Sequence, residues 1–229
     1  MKKKISKRYK KLIDMFKDKK ISTLEESIKK VKQSCTAKFD ESIDVSLNLN
    51  LKQKKEDLTL RTVVHLPHGN GKKIKVGVLC EEGKISEAKS SGADVSGSDS
   101  FVEEIIAGKI NFDKLIATPA MMSKMGKLGK ILGPKGLMPN PKLGTVTNDV
   151  IKAVKLLKEG QIEIKNDIDG NIAASIGKKS FDDKKIVDNF NALIQTVKKE
   201  KPNGIKGDFI VSSYITSSMG ISHKLKVKA

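Results

Sequence analysis

The sequence predicts an α+β protein of two domains, in which a split α+β domain from both termini carries an inserted α/β domain. Both ends of the 229-residue chain combine strand-like alternation with amphipathic helical patterns. The middle alternates short apolar runs with helical segments, which favours a small, mostly parallel sheet with helices on both faces. Neither end alone has enough layers to bury its sheet, so we expect residues 1–67 and 160–229 to form one domain around the inserted residues 68–159.

The N-terminal segment predicts two helices followed by two strands. An apolar stripe predicts a helix over residues 5–16, and a capping signal at Ser22 predicts the start of a second helix over residues 23–34. Alternating apolar residues predict a strand over residues 43–51. A strand over residues 58–66 is expected to pair with it across a polar link.

The inserted segment predicts strands and helices in alternation, and the C-terminal segment returns to strands. The inserted elements are strand 74–80, helix 86–90, strand 93–95, helix 100–107, strand 115–118, a helix from Pro119, and helix 149–158. The C-terminal elements are a hairpin turn at Asp169-Gly170, a long helix over 182–199, and strands within 208–220 and 223–227.

The stretch Met125–Thr147 predicts a long, stiff, cationic loop. It contains five glycines and three prolines, it lacks acidic residues, and its prolines forbid a continuous helix. Its lysines would contact phosphates with little ordering entropy to lose. The alternative is a solvated connector whose glycines and prolines only fix turns.

The formal net charge of +18 indicates a polyanionic partner. With 45 basic residues against 27 acidic ones, nucleic acid is the first candidate. No helical pattern pairs lysine with the aromatic anchors of a membrane-surface helix, and no apolar run reaches the roughly 18 residues of a membrane span. The basic N-terminus lacks the apolar stretch of a signal sequence, so we expect a cytoplasmic protein.

The sequence predicts no catalytic, metal or nucleotide site. Its Gly-rich segments fail the spacing of both the phosphate loop and the dinucleotide-binding fingerprint. Pro67 breaks any helix that would align His65 with His68. Cys35 and Cys80 have no second ligand at close spacing. We therefore expect no cofactor, no metal ion and no enzyme activity.

Two segments carry residues suited to RNA. In the stretch Val211–Gly220, one strand parity places four hydroxyls on one face: Ser212, Tyr214, Thr216 and Ser218. Such hydroxyls can simply line a wet sheet face, but they also suit the RNA 2′-hydroxyl, which donates and accepts. Gly220 would allow another backbone to come near. Phe39, between Lys38 and Asp40, is either a core residue or an exposed stacking element for RNA.

Five segments together resemble the L-one family, the large-subunit ribosomal proteins numbered one, of the mobile ribosomal stalk. The segments are TAKFDES, LPHGNGK, GKLGKILGPKGLMPNPKLGTVT, KNDIDGNI and SSYITSSMG, in the family's order and over nearly the whole chain. The resemblance implies the split architecture with a Rossmann-like inserted domain. It also implies a monomer within the large ribosomal subunit that binds large-subunit ribosomal RNA, helps deacylated tRNA leave the exit site, and represses its own messenger RNA.

Carried over by motif, the resemblance places the main RNA grip on the terminal domain. Its residues are Lys38, Phe39, Ser212, Ser218, Met219 and Gly220. The family usually has threonine where Ser218 stands, so the hydroxyl is kept and the methyl group is not. Three lysines of the Met125–Thr147 stretch would then be secondary RNA contacts, namely Lys130, Lys135 and Lys142.

Two other function classes compete with this interpretation. The first is a nucleotide-dependent enzyme that uses the inserted α/β domain, and its stability would rise with ATP, NAD or S-adenosylmethionine. The second is a free translational regulator that never enters ribosomes, and it would be absent from the large-subunit fraction on sedimentation.

Overall fold

The structure of the protein is a computed structural model that describes four stretches of the chain: residues 5–16, 21–51, 60–202 and 207–226. Contacts between Cα atoms divide these stretches into two compact units. The first unit contains the described residues up to Gly71 and those from Ile162 onwards, and the second contains Lys72–Gln161. No described helix is both long and apolar enough to cross a membrane.

The described stretches contain eight α-helices and nine strands. The helices are α1 (Lys7–Met15), α2 (Leu24–Ser34), α3 (Ile85–Ser90), α4 (Asp99–Ile106), α5 (Met122–Met125), α6 (Gly129–Leu132), α7 (Val150–Lys158) and α8 (Asp183–Lys199). The strands are β1 (Ser42–Leu49), β2 (Arg61–His65), β3 (Val76–Leu79), β4 (Val95–Gly97), β5 (Lys114–Ala117), β6 (Gln161–Lys165), β7 (Asn171–Lys178), β8 (Ile210–Ser217) and β9 (His223–Leu225).

An antiparallel four-stranded sheet, in the order β7-β1-β8-β9, organises the first unit. Alternate residues of β1, from Ile43 to Leu49, point into a core that α2 and α8 cover. α2 begins with a capping box between Thr23 and Glu26, one residue later than the signal predicted at Ser22. Because both helices pack on the same core, the opposite face of the sheet keeps its polar side chains accessible.

The strand pairing in the first unit corrects one prediction. β2 does not pair with β1; instead β1 lies between β7 and β8, and β2 pairs with β6. Length and burial explain the outcome, since β1, β7 and β8 each have eight residues, whereas β2 has five and buries only one of them fully. The polar link expected between the two strands falls in residues 52–59, outside the described stretches.

The chain turns at Asp169-Gly170 as predicted, but the loop has three residues rather than two, since the Asp167 amide donates to the Asn171 carbonyl at 2.9 Å, and most of the hairpin does not form. Gly170 has a positive φ of 79°, and its amide donates to the Asp167 carbonyl at 3.1 Å. Over the described residues, a single bridge between Asn166 and Ile172 joins the two sides of this loop, whereas the strand β6 itself pairs with β2.

A three-stranded parallel sheet in the order β4-β3-β5 forms the centre of the second unit. One face packs against α3 and α7, through buried side chains that include Val78 and Ile116. The other face packs against α4, α5 and α6, through Leu79 and Leu115. The strand–helix alternation of the sequence therefore predicted both the parallel pairing and the two covered faces.

The first part of Met125–Thr147 is helical, which corrects the prediction of a long loop. α5, a 3-10 turn and α6 follow one another up to Leu132. The cause is an apolar stripe at helical spacing, which is buried against the second sheet and outweighs the low helix propensity of the glycines: Met121, Met125, Leu128 and Leu132. Beyond Pro134 the chain is a loop with one further 3-10 turn, Pro141–Leu143, which ends at Gly144 with a φ of 69°.

The mixed α and β content predicted from the sequence is thus confirmed. Two points stay predictions. One is that the chain forms independently folding domains with boundaries at 67/68 and 159/160, and the other is that the inserted domain is Rossmann-like.

Candidate nucleic-acid interface

Two short segments meet at one end of the four-stranded sheet. The Phe39 loop, residues 36–41, leads from α2 into β1, and the Met219 turn, Ser218–Gly220, follows β8. They adjoin because β1 and β8 are neighbouring strands, and their ends are tied by Ser218 and Ser42. The Ser218 amide donates to the Ser42 carbonyl at 3.1 Å, and the Ser42 amide donates to the Ser218 hydroxyl at 3.1 Å.

This junction gathers five of the six residues expected to form the main RNA grip. We call them the Phe39–Met219 cluster: Lys38, Phe39, Ser218, Met219 and Gly220. Phe39 is 56% exposed and Met219 is 47% exposed, so neither side chain belongs to the core. The interpretation of Phe39 as a core residue is therefore wrong, while its contact with RNA stays a prediction. An exposed aromatic ring and an exposed thioether on adjoining segments can both pack against a partner.

A buried acid, Glu41, holds the two segments of the cluster together. Its Oε1 accepts a hydrogen bond from the Ala37 amide at 2.9 Å, and its Oε2 accepts one from the Met219 amide at 3.1 Å. Burial by itself would raise the pKa of Glu41, but these two hydrogen bonds help to hold that pKa below its ordinary value of 4.5. Glu41 therefore stays ionised and fixes the loop against the turn.

Further bonds to the end of β7 immobilise the Phe39 loop. The Asp40 carboxylate accepts from the Ser180 amide at 3.1 Å and from the Ser180 hydroxyl at 2.8 Å. The Lys179 amide donates to the Glu41 carbonyl at 2.8 Å. Phe39 is thus an exposed side chain on a loop that is anchored before it at Ala37 and after it at Asp40, and such preorganisation reduces the entropy lost when a partner binds.

Gly220 permits close packing within the protein itself. A Cβ atom added at this position would lie 2.2 Å from Ser217 Oγ and 2.5 Å from Ser34 Oγ, well inside van der Waals contact. Ser34 is the last residue of α2, and both serines are buried. The glycine therefore lets the Met219 turn lie directly on the end of α2. This packing role within the protein differs from the role predicted from the sequence, in which the glycine would let another backbone come near.

The hydroxyl side chains of one parity, Ser212, Tyr214, Thr216 and Ser218, lie on the accessible face of the sheet, as predicted. Ser213, Ile215 and Ser217 are buried, whereas Tyr214 is partly exposed and Ser218 is exposed. On this face β8 places three side chains opposite polar residues of β1, in the pairs Ser212–Asn48, Tyr214–Ser46 and Thr216–Asp44. Ser212 shares the face with the cluster, but it lies six residues along the strand from Ser218, about 20 Å away.

The three lysines expected to be secondary contacts lie in the second unit. Lys130 is on α6, Lys135 follows Pro134, and Lys142 is in the 3-10 turn Pro141–Leu143. All three side chains are exposed, and none forms an ion pair with another described residue. The helical turns and the loop that carry these lysines therefore expose positive charges that are not used in ion pairs within the described stretches, and such charges are suited to phosphate contacts.

The described stretches contain neither a metal-binding group nor a reactive cysteine. They contain no group of three or more histidine, cysteine or acidic side chains that could hold a metal ion. Cys35 and Cys80 are buried free thiols, and burial raises the pKa of both above the ordinary value. Since the thiolate is the reactive form, both cysteines act as small apolar side chains.

Comparison with known proteins identifies the family. The sequence model of the ribosomal protein L1p/L10e family matches residues 31–221. The chain belongs to this family. A large ribosomal subunit protein uL1 from Pelagibacter ubique is 56% identical over 223 residues, which is 97% of each chain. A large ribosomal subunit protein uL1 from Kosmotoga olearia is 47% identical over 223 residues, which is 96% of this chain and 95% of the relative.

Membership of the ribosomal protein L1p/L10e family confirms two predictions. The resemblance carried by the five sequence segments is correct, and the matched region includes both the Phe39 loop and the Met219 turn. A family of ribosomal proteins also agrees with the prediction that the chain is not an enzyme. The sequence analysis did not identify Glu41 as a functional residue. This acid directly follows Phe39 and Asp40 at the start of an alternating strand, and an acid at such a position is usually interpreted as facing the solvent.

Proposed function

We propose that the protein is a structural constituent of the large ribosomal subunit, in the cytoplasm, and that it binds large-subunit ribosomal RNA at the mobile stalk through the Phe39–Met219 cluster. Membership of the ribosomal protein L1p/L10e family and two near full-length relatives named large ribosomal subunit protein uL1 support the ribosomal role. The net charge of +18 supports a nucleic-acid partner. The single observation that carries the proposed site is that Phe39 and Met219 are exposed on segments fixed by the buried Glu41.

The chemistry of the cluster explains how a folded RNA would be held. Phe39 offers a ring on which a base or ribose packs, and Met219 adds a polarisable contact. Lys38 is exposed beside the ring and would pair with a phosphate. Hydroxyls of the accessible β8 face, from Ser218 towards Ser212, would exchange hydrogen bonds with ribose 2′-hydroxyls.

The second unit would add secondary contacts. Lys130, Lys135 and Lys142 are exposed without ion-pair partners in the described stretches, so each can neutralise an RNA phosphate. In the ribosome we propose that these contacts help deacylated tRNA to leave the exit site. We further propose that the free protein binds a similar fold in its own messenger RNA and represses translation, and that it acts as a monomer in each role.

The test compares two acidic substitutions at equally exposed apolar side chains. Met219→Glu places a carboxylate inside the cluster and should weaken binding to a transcript of the stalk ribosomal RNA by about 100-fold or more, since an added like charge opposes the phosphates. Ile106→Glu, at a side chain 52% exposed on α4, makes the same charge change in the second unit, at a residue that is not part of the cluster. Filter binding at fixed salt measures both.

We expect Ile106→Glu to bind within a few-fold of the wild type. Equal losses in the two variants would mean that net charge, rather than the cluster, determines affinity, and the proposed site would have to be given up. Chemical footprinting of the complex then locates the protected nucleotides. For the messenger and tRNA roles, the same pair of variants is assayed on a reporter led by the protein's own 5′ region and on tRNA release from purified ribosomes.

A further inference from the structure

The N-terminal helix α1 packs against the first unit close to the proposed RNA-binding cluster. Ser6 caps the helix by accepting from the Tyr9 amide, and Leu12 is buried. Just beyond the helix, the ring of Phe16 meets the imidazole of His223 edge-on, with the ring centres 5.5 Å apart. The burial of Leu12 and the Phe16–His223 contact fix α1 on the rest of the first unit, and the resemblance to the L-one family assigns the helix no role.

Arg8 ties α1 to both segments of the cluster. One guanidinium nitrogen, Nη1, donates to the Thr36 hydroxyl at 2.9 Å, and Nη2 donates to the Met219 carbonyl at 3.1 Å. Thr36 begins the Phe39 loop, and Met219 is the centre of the turn. Arg8 thus bridges the two segments from the solvent side, as Glu41 bridges them from the interior.

The charge carried by α1 is the second observation. Four of the first five residues of α1 are lysine or arginine, and the first acid of the helix is Asp14. Lys7 and Lys11 are four residues apart, so they share one face of the helix, and both are exposed. That face adjoins Arg8, whose contacts fix its position beside the cluster.

We propose that α1 is a third element of the RNA interface, in which Arg8 positions the Met219 turn while Lys7 and Lys11 contact phosphates of the RNA seated on the cluster. This inference rests on the proposed RNA-binding function and extends its surface. It also gives the two side chains different tasks. The lysines supply electrostatic attraction, whereas the planar fork of Arg8 supplies geometry that a lysine cannot reproduce.

The first experiment measures how binding to the stalk RNA transcript depends on salt. For Lys7→Gln/Lys11→Gln, we expect the slope of log affinity against log salt to fall by about 1 to 2, and the affinity to drop on the order of tenfold near 0.1 M salt. The matched control is Lys198→Gln/Lys199→Gln in the last turn of α8. This control removes the same charge. Lys198 and Lys199 lie about 24 Å from the start of α8, and it is the start of α8 that follows Ser180 beside the Phe39 loop.

Arg8→Lys separates positioning from charge. We expect its affinity to fall severalfold with an unchanged salt slope, because the charge stays and the two-pronged contact is lost. Arg8→Gln should lose both, and its thermal unfolding midpoint shows whether the fold itself has suffered. Footprinting adds a readout that a purely structural helix would not move: Lys7→Gln/Lys11→Gln should lose protection at nucleotides that Met219→Glu leaves protected at high protein concentration.

The outcomes distinguish this inference from the function on which it rests. If the wild type does not bind the transcript, the proposed function fails. If binding depends on Met219 but Lys7→Gln/Lys11→Gln matches its control in slope and affinity, α1 is only a structural support and this inference is overturned. A reduced slope in that variant alone supports it.

Discussion

Glu41 is a buried acid in a chain dominated by lysine, and its surroundings explain why it stays charged. Two backbone amides, from Ala37 and Met219, converge on its two oxygens. A carboxylate can accept both, whereas a neutral amide side chain has only one acceptor oxygen. One residue therefore fixes the relative position of the two segments that expose Phe39 and Met219.

Replacing this acid tests its role and has a defined dependence on pH. Glu41→Gln sets an NH₂ group against a backbone amide, and we expect a loss of about 1–3 kcal/mol in the free energy of unfolding at pH 7. Because the folded state lowers the pKa of Glu41 below 4.5, its stabilisation is fully present above about pH 4.5 and disappears as pH falls through the folded-state value. The gap between wild type and variant should therefore shrink at lower pH.

Denaturant unfolding between pH 7 and pH 3 measures the gap. Glu103→Gln, at an exposed acid on α4, is the control and should track the wild type throughout. A Glu41→Gln protein as stable as the wild type at pH 7 would contradict the bridging role.

At the scale of elements, the Met219 turn depends on how closely β8 approaches α2. Gly220 lies against Ser34, the last residue of α2, and against Ser217, the last residue of β8. With the hydroxyl oxygens of Ser34 and Ser217 at 2.5 and 2.2 Å from an added Cβ atom, a side chain fits only if both hydroxyls rotate away or the turn and the helix move apart. The packing of two elements thus decides where Met219 points.

Gly220→Ala should therefore displace the Met219 turn. We expect it to cost about 1–3 kcal/mol of unfolding free energy, as overpacking does in a tight interior, and to weaken RNA binding together with stability. Removing the nearer hydroxyl in the double variant Gly220→Ala/Ser217→Ala should recover part of both losses. Gly83→Ala is the control, because an added Cβ there meets nothing within 4 Å. Unchanged RNA affinity in Gly220→Ala would show that the turn need not be so close to α2.

Elements also show where sequence patterns succeed and fail. Most helices and strands begin and end within about two residues of their predicted bounds, because the apolar periodicity of each is set by the face it buries. The helix predicted from Pro119 forms, but it continues in helical turns from Gly126 to Leu132, where a loop was predicted because glycine has a low helix propensity. The predicted pairing of β1 was also wrong, because its true partners β7 and β8 lie more than a hundred residues further along the chain and local patterns do not identify them.

For the whole molecule, charge and architecture act together. The segments 1–67, 68–159 and 160–229 carry +9, +5 and +4, so the positive charge is spread along the chain and the first segment holds half of it. That segment also supplies α1 and the Phe39 loop. The inserted-domain architecture predicted from the sequence implies that the outer segments fold and bind RNA without the middle.

Excising the middle tests this prediction. β2 and β6 are neighbours, and the Asn166 amide donates to the Leu60 carbonyl at 3.1 Å, so the strands run in opposite directions and their other ends face each other. Joining Pro67 to Gly160 through a short Gly-Ser linker should therefore leave the first unit folded. We expect cooperative unfolding and an affinity for the stalk RNA within about tenfold of the full chain, because only secondary phosphate contacts are lost.

Circular dichroism during denaturation and filter binding measure the two properties, and the same excision carrying Met219→Glu is the control that must not bind tightly. An unfolded product would contradict the predicted boundaries. A folded product without affinity would place the main RNA grip outside the first unit.

The sequence by itself determined the mixed α and β content, the parallel sheet in the middle, the family, and the hydroxyl face of β8. These follow from local periodicity, charge and motifs, which are properties of neighbouring residues. Only the tertiary structure decided that Phe39 is exposed and that Glu41 and Arg8 bridge the same two segments. It also decided that Ser34 and Ser217 occupy the space that a side chain at position 220 would need. Each of these contacts joins residues distant in sequence, and their geometry exists only once β1 and β8 lie side by side.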